Sequence, residues 1–217
     1  MDRVVVVGGS VAAVNAVDGL RHAGFEGEVM LVSAEEVLPY DRPPLSKEAL
    51  REGHQHHTLL LKEPSWYNEQ DVRVSLGRRA VGLDPAGRRV TLEGGSELPY
   101  DGLVIATGSR TRALPPLAGV PGVFEIRTLS DSLALHAELV PGRHLVVIGA
   151  GFIGLEVAAT ARKMGLDVSV VEIAQLPLTR VLGTEIGRWF LDHHTDQASG
   201  SNVGTGVDRV EATAGGS

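Results

Sequence analysis

Residues 145–172 read LVVIGAGFIGLEVAATARKMGLDVSVVE. Leu145 to Ile148 is a short apolar run with β-branched residues, the signature of a buried parallel strand. Gly149, Gly151 and Gly154 follow at G-x-G-x-x-G spacing, and an apolar run with helical period continues from Phe152 to Met164. Gly165 and Asp167 mark a turn, and Val168 to Val171 is a second strand that ends at Glu172. The first glycine permits the turn out of the strand, the second lets backbone approach a pyrophosphate, and the third lets helix and strand pack closely. The helix N-terminus then faces the phosphates with free N–H groups. An acid roughly 20 residues further on, here Glu172, is placed to hold a ribose 2′-hydroxyl. The glycines alone are weak evidence. In the order strand, glycines, helix, strand, acid they specify a dinucleotide-binding βαβ unit over a bland βαβ core.

The N-terminus carries a looser copy. Arg3–Val7 is a strand, Gly8 and Gly9 begin a turn, and Val11 to Ala23 has helical period. Glu28–Val32 is the next strand, with Glu35 just past its end. Ser10 and Ala13 stand at the second and third glycine positions; both are small, so close approach and packing survive in part. The expected fold class is α/β: two Rossmann-like βαβ nucleotide-binding units with a small antiparallel meander, the second unit incomplete.

Composition bounds the partners. The chain of 217 residues is 43% hydrophobic with 27 Gly, which suits many tight strand-to-helix turns. Its net charge of −7 argues against nucleic acid. No apolar run approaches a membrane span, and a strand begins where a signal peptide would stand, so a cytoplasmic location without membrane association is expected. There is no Cys, so disulfides, Cys-ligated metal centres and a catalytic thiol are excluded within these residues.

Between the two units, residues 38–50 (LPYDRPPLSKEAL) form a proline-stiffened loop, with Ser46 the expected cap of a helix that follows. His54, His56 and His57 read as a solvated loop in preference to a metal site. Val72–Leu76, Arg79–Leu83, Arg88–Leu92 and Glu97–Tyr100 read as a small antiparallel meander. Asp101 to Gly108 is a buried strand that ends in Ala106, Thr107 and Gly108, at the carboxyl edge where open α/β sheets place ligands. Residues 114–122 (LPPLAGVPG) read as a linker, and a helix follows Arg127. Beyond Glu172 an amphipathic helix is expected over Thr184 to His194, then a strand over Val203 to Val210. His193 and His194 read as a helix-end cation pair.

Taken together, PYDRPPLSK, LVIATGSRTRALP, RTLSD and VVIGAGFIGLEVAA resemble the FAD-dependent pyridine-nucleotide reductases of the ferredoxin, putidaredoxin and rubredoxin reductase branch. The resemblance implies an FAD-binding segment at 1–113, a linker at 114–122 and an NAD(P)-binding segment at 123–217. It places Gly8, Gly9, Ser10, Ala12 and Ala13 at the FAD pyrophosphate, and Glu35 at the adenosine ribose. Relatives that carry the acid one position earlier have it where this chain has Ala34. The backbone of Ala80 would meet the adenine. Ala106, Thr107 and Gly108 would lie along the FAD, with Arg42, Lys47 and Arg127 contacting it. Gly149, Gly151, Ile153 and Gly154 would receive the nicotinamide dinucleotide. Glu172 would favour NADH over NADPH, because a carboxylate repels a 2′-phosphate.

The implied reaction is hydride transfer from NADH to flavin N5, then single-electron transfer to a ferredoxin or other small iron–sulfur protein, as in the reductase component of an oxygenase or P450 system. Lys47 and Glu156 match the pair beside flavin N5. Without the resemblance, Glu156 reads as an ordinary helix-face carboxylate and Lys47 as a loop cation. Members of that branch run to about twice this length, so an incomplete second unit is expected, with contribution of the remainder by another chain left open. Three readings stay open at this point: part of an NADH:ferredoxin reductase, a dinucleotide-binding module without turnover, or an inactive fragment that folds poorly.

Overall fold

The computed structural model describes residues 1–53, 56–112, 114–195 and 201–210, without the side chains of 193–195 and 201. The readings made on His54, on the His193 and His194 imidazoles and on the boundary at 113 lie outside the described residues. By contacts the chain divides into Met1–Arg42 with Gln55–Arg110, and Pro43–His54 with Thr111–Ser217. A boundary drawn in chain order does not separate Pro43–His54, which belongs with the second unit.

The first unit is built on a parallel sheet of β1 (Arg3–Val7), β2 (Glu28–Val32), β3 (Val72–Ser75) and β7 (Gly102–Ile105), in the order β3-β2-β1-β7. Helix α1 (Val11–His22) connects β1 to β2. Strand β1 is central, which is why its sequence is an unbroken apolar run: alternate residues serve opposite faces. Val4 and Val6 pack with Ala13 and Val17 of α1 and with Tyr67 of α3 (Pro64–Glu69). Val5 and Val7 pack with Val90 and Leu92. Those two come from the antiparallel meander β4 (Ala80–Asp84), β5 (Arg89–Leu92) and β6 (Glu97–Pro99). The turn after β4 is fixed by Asp84, whose carboxylate accepts from the N–H groups of Ala86 and Gly87.

The structure corrects the meander at one end. Val72–Ser75 pairs in parallel with β2 and is an edge strand of the main sheet. Its alternation of apolar and polar residues suits either place, and only the pairing with Val29–Val32 decides it. His57 is exposed as expected, whereas His56 is half-buried and engaged. Its Nε2–H donates to the Leu38 carbonyl at 2.7 Å, and its ring meets Tyr40 edge-on. Among the described residues no group of three or more His, Cys, Asp or Glu could hold a metal ion. No helix among them is long and apolar enough to cross a membrane.

Tyr67 is 2% exposed, and its hydroxyl has no hydrogen-bond partner. Burial pushes the phenol up to about 12 from 10.0. Between those values the unfolded chain has released the proton and the folded chain has not, so stability falls as pH rises through that window. Tyr67→Phe removes an unsatisfied buried hydroxyl and is expected to raise stability by roughly 1 kcal/mol at neutral pH. It should also flatten the alkaline loss. Urea denaturation at pH 8 and pH 11, compared with the parent chain, measures both effects.

The second unit repeats the first with β8 (His144–Ile148), α5 (Phe152–Lys163), β9 (Asp167–Glu172) and β10 (Ser201–Val203), sheet order β10-β9-β8. Val147, Val168 and Val170 bury one face under Val157, Ala158 and Ala161 of α5. The opposite face is open: Val146 is 54% and Ile148 38% exposed. These two stand at the same register, counted back from the first glycine of the loop, as Val5 and Val7, which the meander covers in the first unit. The expected strand Val203–Val210 does not form: β10 ends at Val203, because Gly204, at φ 69°, turns the backbone away and its N–H donates to the Ala174 carbonyl. Helix α6 (Thr179–Thr195) is broken by a non-helical residue, Gly183, so that its longer part starts at Thr184, where the helix is expected, and a short helical turn precedes it.

Two elements upstream complete the second unit. Helix α4 (Leu129–Glu138) opens on a capping box in which Thr128 accepts from the Asp131 N–H and Asp131 accepts from the Thr128 N–H. Residues Pro43–Ser46 form a 3-10 turn, and α2 (Glu48–Glu52) follows it. His136 of α4 donates to the Leu50 carbonyl at 2.7 Å and pins α2. Ser46 does not cap α2: Lys47 occupies that position without a side-chain cap bond.

Candidate functional site

Both glycine loops lie at the carboxyl ends of parallel strands. In the first unit the sheet order reverses at β1, between β2 and β7, the switch point at which such sheets open a crevice. Gly8 sits there at φ 145°, and a Cβ on it would lie 2.1 Å from the Ala106 carbonyl oxygen. Gly8 and Ala106 are therefore brought together, with Thr107 and Gly108 next along the chain; the Ala106 N–H donates to Val7. Ser10 starts α1 without a side-chain cap bond. Ala12 is exposed, and Ala13 is buried in the helix–strand contact. Ala80 is the first residue of β4 and packs with the meander core.

Glu35 is engaged by its own loop. Tyr40 and Arg42 each donate to its carboxylate at 2.6 Å. Strand register shows a position that sequence reasoning missed. Val32 pairs with Val7 as Val171 pairs with Ile148, so the residue aligned with Glu172 is Ser33, not Glu35. Ser33 is 2% exposed, and a Cβ on Gly9 would come within 2.3 Å of its hydroxyl. The signal was in the sequence, as the residue directly after the apolar run of each second strand.

In the second unit the three motif glycines differ in what surrounds them. Gly149 adopts φ 103° with nothing within 4 Å of a built Cβ. Gly151 is the N-cap of α5, with no side-chain cap bond and open space around a Cβ. A Cβ on Gly154 would lie 2.0 Å from the Gly149 carbonyl oxygen. Gly154 is therefore required by the loop's own packing, whereas Gly151 leaves room beside the free end of a helix, which fits a pyrophosphate. Ile153 is exposed at the start of α5. Glu172 reaches back over the loop: its carboxylate accepts from the Ala150 N–H at 2.7 Å and from the Ala174 N–H at 2.8 Å. Each oxygen keeps acceptor capacity for a ribose hydroxyl. Arg127 stands just before α4, its N–H donating to Asp131.

Lys47 and Glu156 meet within this unit. Lys47 Nζ lies 2.8 Å from Glu156 Oε1 and donates to the Pro43 carbonyl at 3.1 Å. The Ser46 hydroxyl donates to Glu156 Oε2 at 2.5 Å. Burial pushes the Glu156 carboxyl up, but the bonds from Lys47 and Ser46 and the ammonium charge outweigh it and leave the group below its usual value. The pair lines a cleft of about 230 Å³ with Glu48, Arg51, Ala159, Thr160 and Lys163.

Two Rossmann-type units, each with a glycine loop at its strand ends, and a meander on the first define a double nucleotide-fold α/β protein. The chain belongs to the pyridine nucleotide-disulphide oxidoreductase family, whose model matches residues 2–216. It is 39% identical over 213 residues to rhodocoxin reductase of Rhodococcus erythropolis, covering 98% of this chain and 50% of that protein. It is 42% identical to the ferredoxin reductase component of chlorobenzene dioxygenase from Cupriavidus sp. strain PS12, covering 96% of this chain and 52% of the relative. Among solved structures, the covalent putidaredoxin reductase–putidaredoxin complex superposes with a TM-score of 0.93 at 36% identity, covering 98% of this chain and 52% of that one. The chain spans about half the length of these relatives.

Proposed function

We propose that this chain is the dinucleotide-binding part of an FAD-dependent NADH reductase that serves a small iron–sulfur protein. The observation that carries the reading is the Lys47–Glu156 ion pair, held within a unit whose loop at Gly149–Gly154 opens on uncapped α5. Gly8, Gly9, Ser10, Ala12 and Ala13 would hold the FAD pyrophosphate, with Ala106, Thr107 and Gly108 along the cofactor. Ala80 would meet its adenine, Glu35 its ribose, and Arg42 and Arg127 would add positive charge. Gly149, Gly151, Ile153 and Gly154 would receive NADH, and Glu172 would disfavour NADPH by repelling its 2′-phosphate. Bound FAD would supply a flavin that accepts a hydride and releases single electrons.

The chain's own contribution is electrostatic. Lys47 offers a cation to offset the negative charge of a reduced flavin, and Glu156, 2.8 Å from its Nζ, holds that head group in place. With no Cys in the chain, electrons leave to an external acceptor, and the relatives' names support a ferredoxin in that part. Purified protein is expected to take up FAD, show flavin absorbance and bleach on adding NADH. Lys47→Ala should leave FAD bound and slow reduction by about 10²-fold in stopped flow. An unchanged rate would remove Lys47 from the reaction. Protein that binds FAD without bleaching would favour a nucleotide-binding module without turnover, and protein that takes up no FAD would overturn the reading.

A further inference from the structure

We propose that Ser46 and Thr160 are positioning residues for the Lys47–Glu156 pair: the Ser46 hydroxyl aims one oxygen of Glu156 and leaves the other to Lys47, while Thr160 anchors Ser46. The inference deepens the flavin-reductase reading and rests on it for the pair's purpose, but its geometry lies within the second unit alone.

Glu156 projects from α5 on a flexible side chain that could adopt many rotamers. Two donors on different oxygens, Ser46 Oγ at 2.5 Å and Lys47 Nζ at 2.8 Å, set both its direction and its plane. Ser46 is only 4% exposed, so its hydroxyl has no solvent to turn to. Thr160, one turn along α5 from Glu156, donates to the Ser46 carbonyl at 2.8 Å in a buried bond. Ser132 of α4 does the same for the Leu45 carbonyl at 2.7 Å. The physical need is local. Pro43 and Pro44 bring no N–H donors, and a turn this short relies on neighbours to pair its buried carbonyls at Leu45 and Ser46. Hydroxyls from two neighbouring helices satisfy them and fix the backbone from which Lys47 departs. The Lys47 N–H donates to Pro44, and its carbonyl accepts from Arg51. Lys47 is thus held at backbone and at head group.

The test is the titration of the Glu156 carboxyl, followed by carbon-13 NMR and assigned with Glu156→Gln. Glu48, Arg51 and Lys163 line the same cleft and stay unchanged in every variant compared. Ser46→Ala is expected to raise the Glu156 midpoint by about one pH unit. Thr160→Val, which keeps shape and loses the hydroxyl, should raise it by a smaller amount, and Thr160→Ser should restore the parent value. A Ser46→Ala midpoint equal to the parent's overturns the proposal. If Ser46→Ala does not fold, Thr160→Val and Thr160→Ser decide: titrating alike, they overturn it. Midpoints that move as stated, in protein whose flavin reduction ignores Lys47→Ala, uphold the positioning and reject the flavin role.

Discussion

Gly151→Ala is expected to leave the second unit folded and to abolish dinucleotide binding, whereas Gly154→Ala destabilises the fold itself. At Gly151 the backbone is extended, at φ −80° and ψ 178°, which alanine adopts freely, and nothing stands within 4 Å of a new methyl. Alanine is a poorer N-cap than glycine, a cost under about 1 kcal/mol. The methyl does, however, fill the space that a pyrophosphate would need. Gly154 opposes two effects. Alanine inside a helix gains about 1 kcal/mol over glycine. Against that stands a contact of 2.0 Å with the Gly149 carbonyl. This is backbone in a tight loop and cannot swing aside, so the overpacking penalty of about 1–3 kcal/mol or more prevails. Urea melts and titration with NADH, followed by nicotinamide fluorescence, separate the two outcomes. Equal loss of stability in both variants would place Gly151 in the same packing role as Gly154 and remove it from the proposed pyrophosphate site.

The second large effect contrasts two valines at one register position. Val5→Asp is expected to abolish folding of the first unit, and Val146→Asp to change stability by less than about 1 kcal/mol. Val5 is fully buried between the parallel sheet and the meander residues Val90 and Leu92. A carboxyl there has no donor to meet and costs several kcal/mol, a large share of the roughly 5–15 kcal/mol that holds a domain together. Val146 faces out on β8, so the same substitution leaves a carboxyl in water. Soluble yield and urea denaturation read the difference. Val146→Asp should also reduce binding of a hydrophobic dye, since the open face of Val146 and Ile148 is one of the exposed apolar areas of the chain. A Val146→Asp variant that unfolds would show that this face is covered in solution.

Much of the molecule was legible along the chain because its signals are local. The strand at 145–148, the glycine spacing, the helix and the second strand lie within one short window, and the 3–32 segment repeats them. Period 2 and period 3.6 report themselves wherever neighbours in sequence are neighbours in space. Readings failed where a partner from elsewhere in the sequence decides. Whether Val72–Ser75 joins a meander or a parallel sheet depends on Val29–Val32. His56 reads as a solvated side chain, yet the Leu38 carbonyl, 18 residues away, accepts from its ring. Ser46 carries the residue type of a helix cap, yet its hydroxyl is spent on a residue 110 positions away.

The sequence by itself determined the double α/β architecture, the glycine loops, the lack of a cysteine among these residues and, through resemblance, the branch of reductases. Tertiary structure alone decided which glycine is architectural and which is open, because that depends on whether a carbonyl or empty space faces the missing Cβ. It alone aligned Ser33 with Glu172, because register is a property of paired strands. It also decided that Lys47, Glu156, Ser46 and Thr160 form one hydrogen-bonded group. Hydrogen bonds act over about 3 Å, and no spacing in a sequence conveys which distant segments the packing of α2, α4 and α5 will bring within that reach.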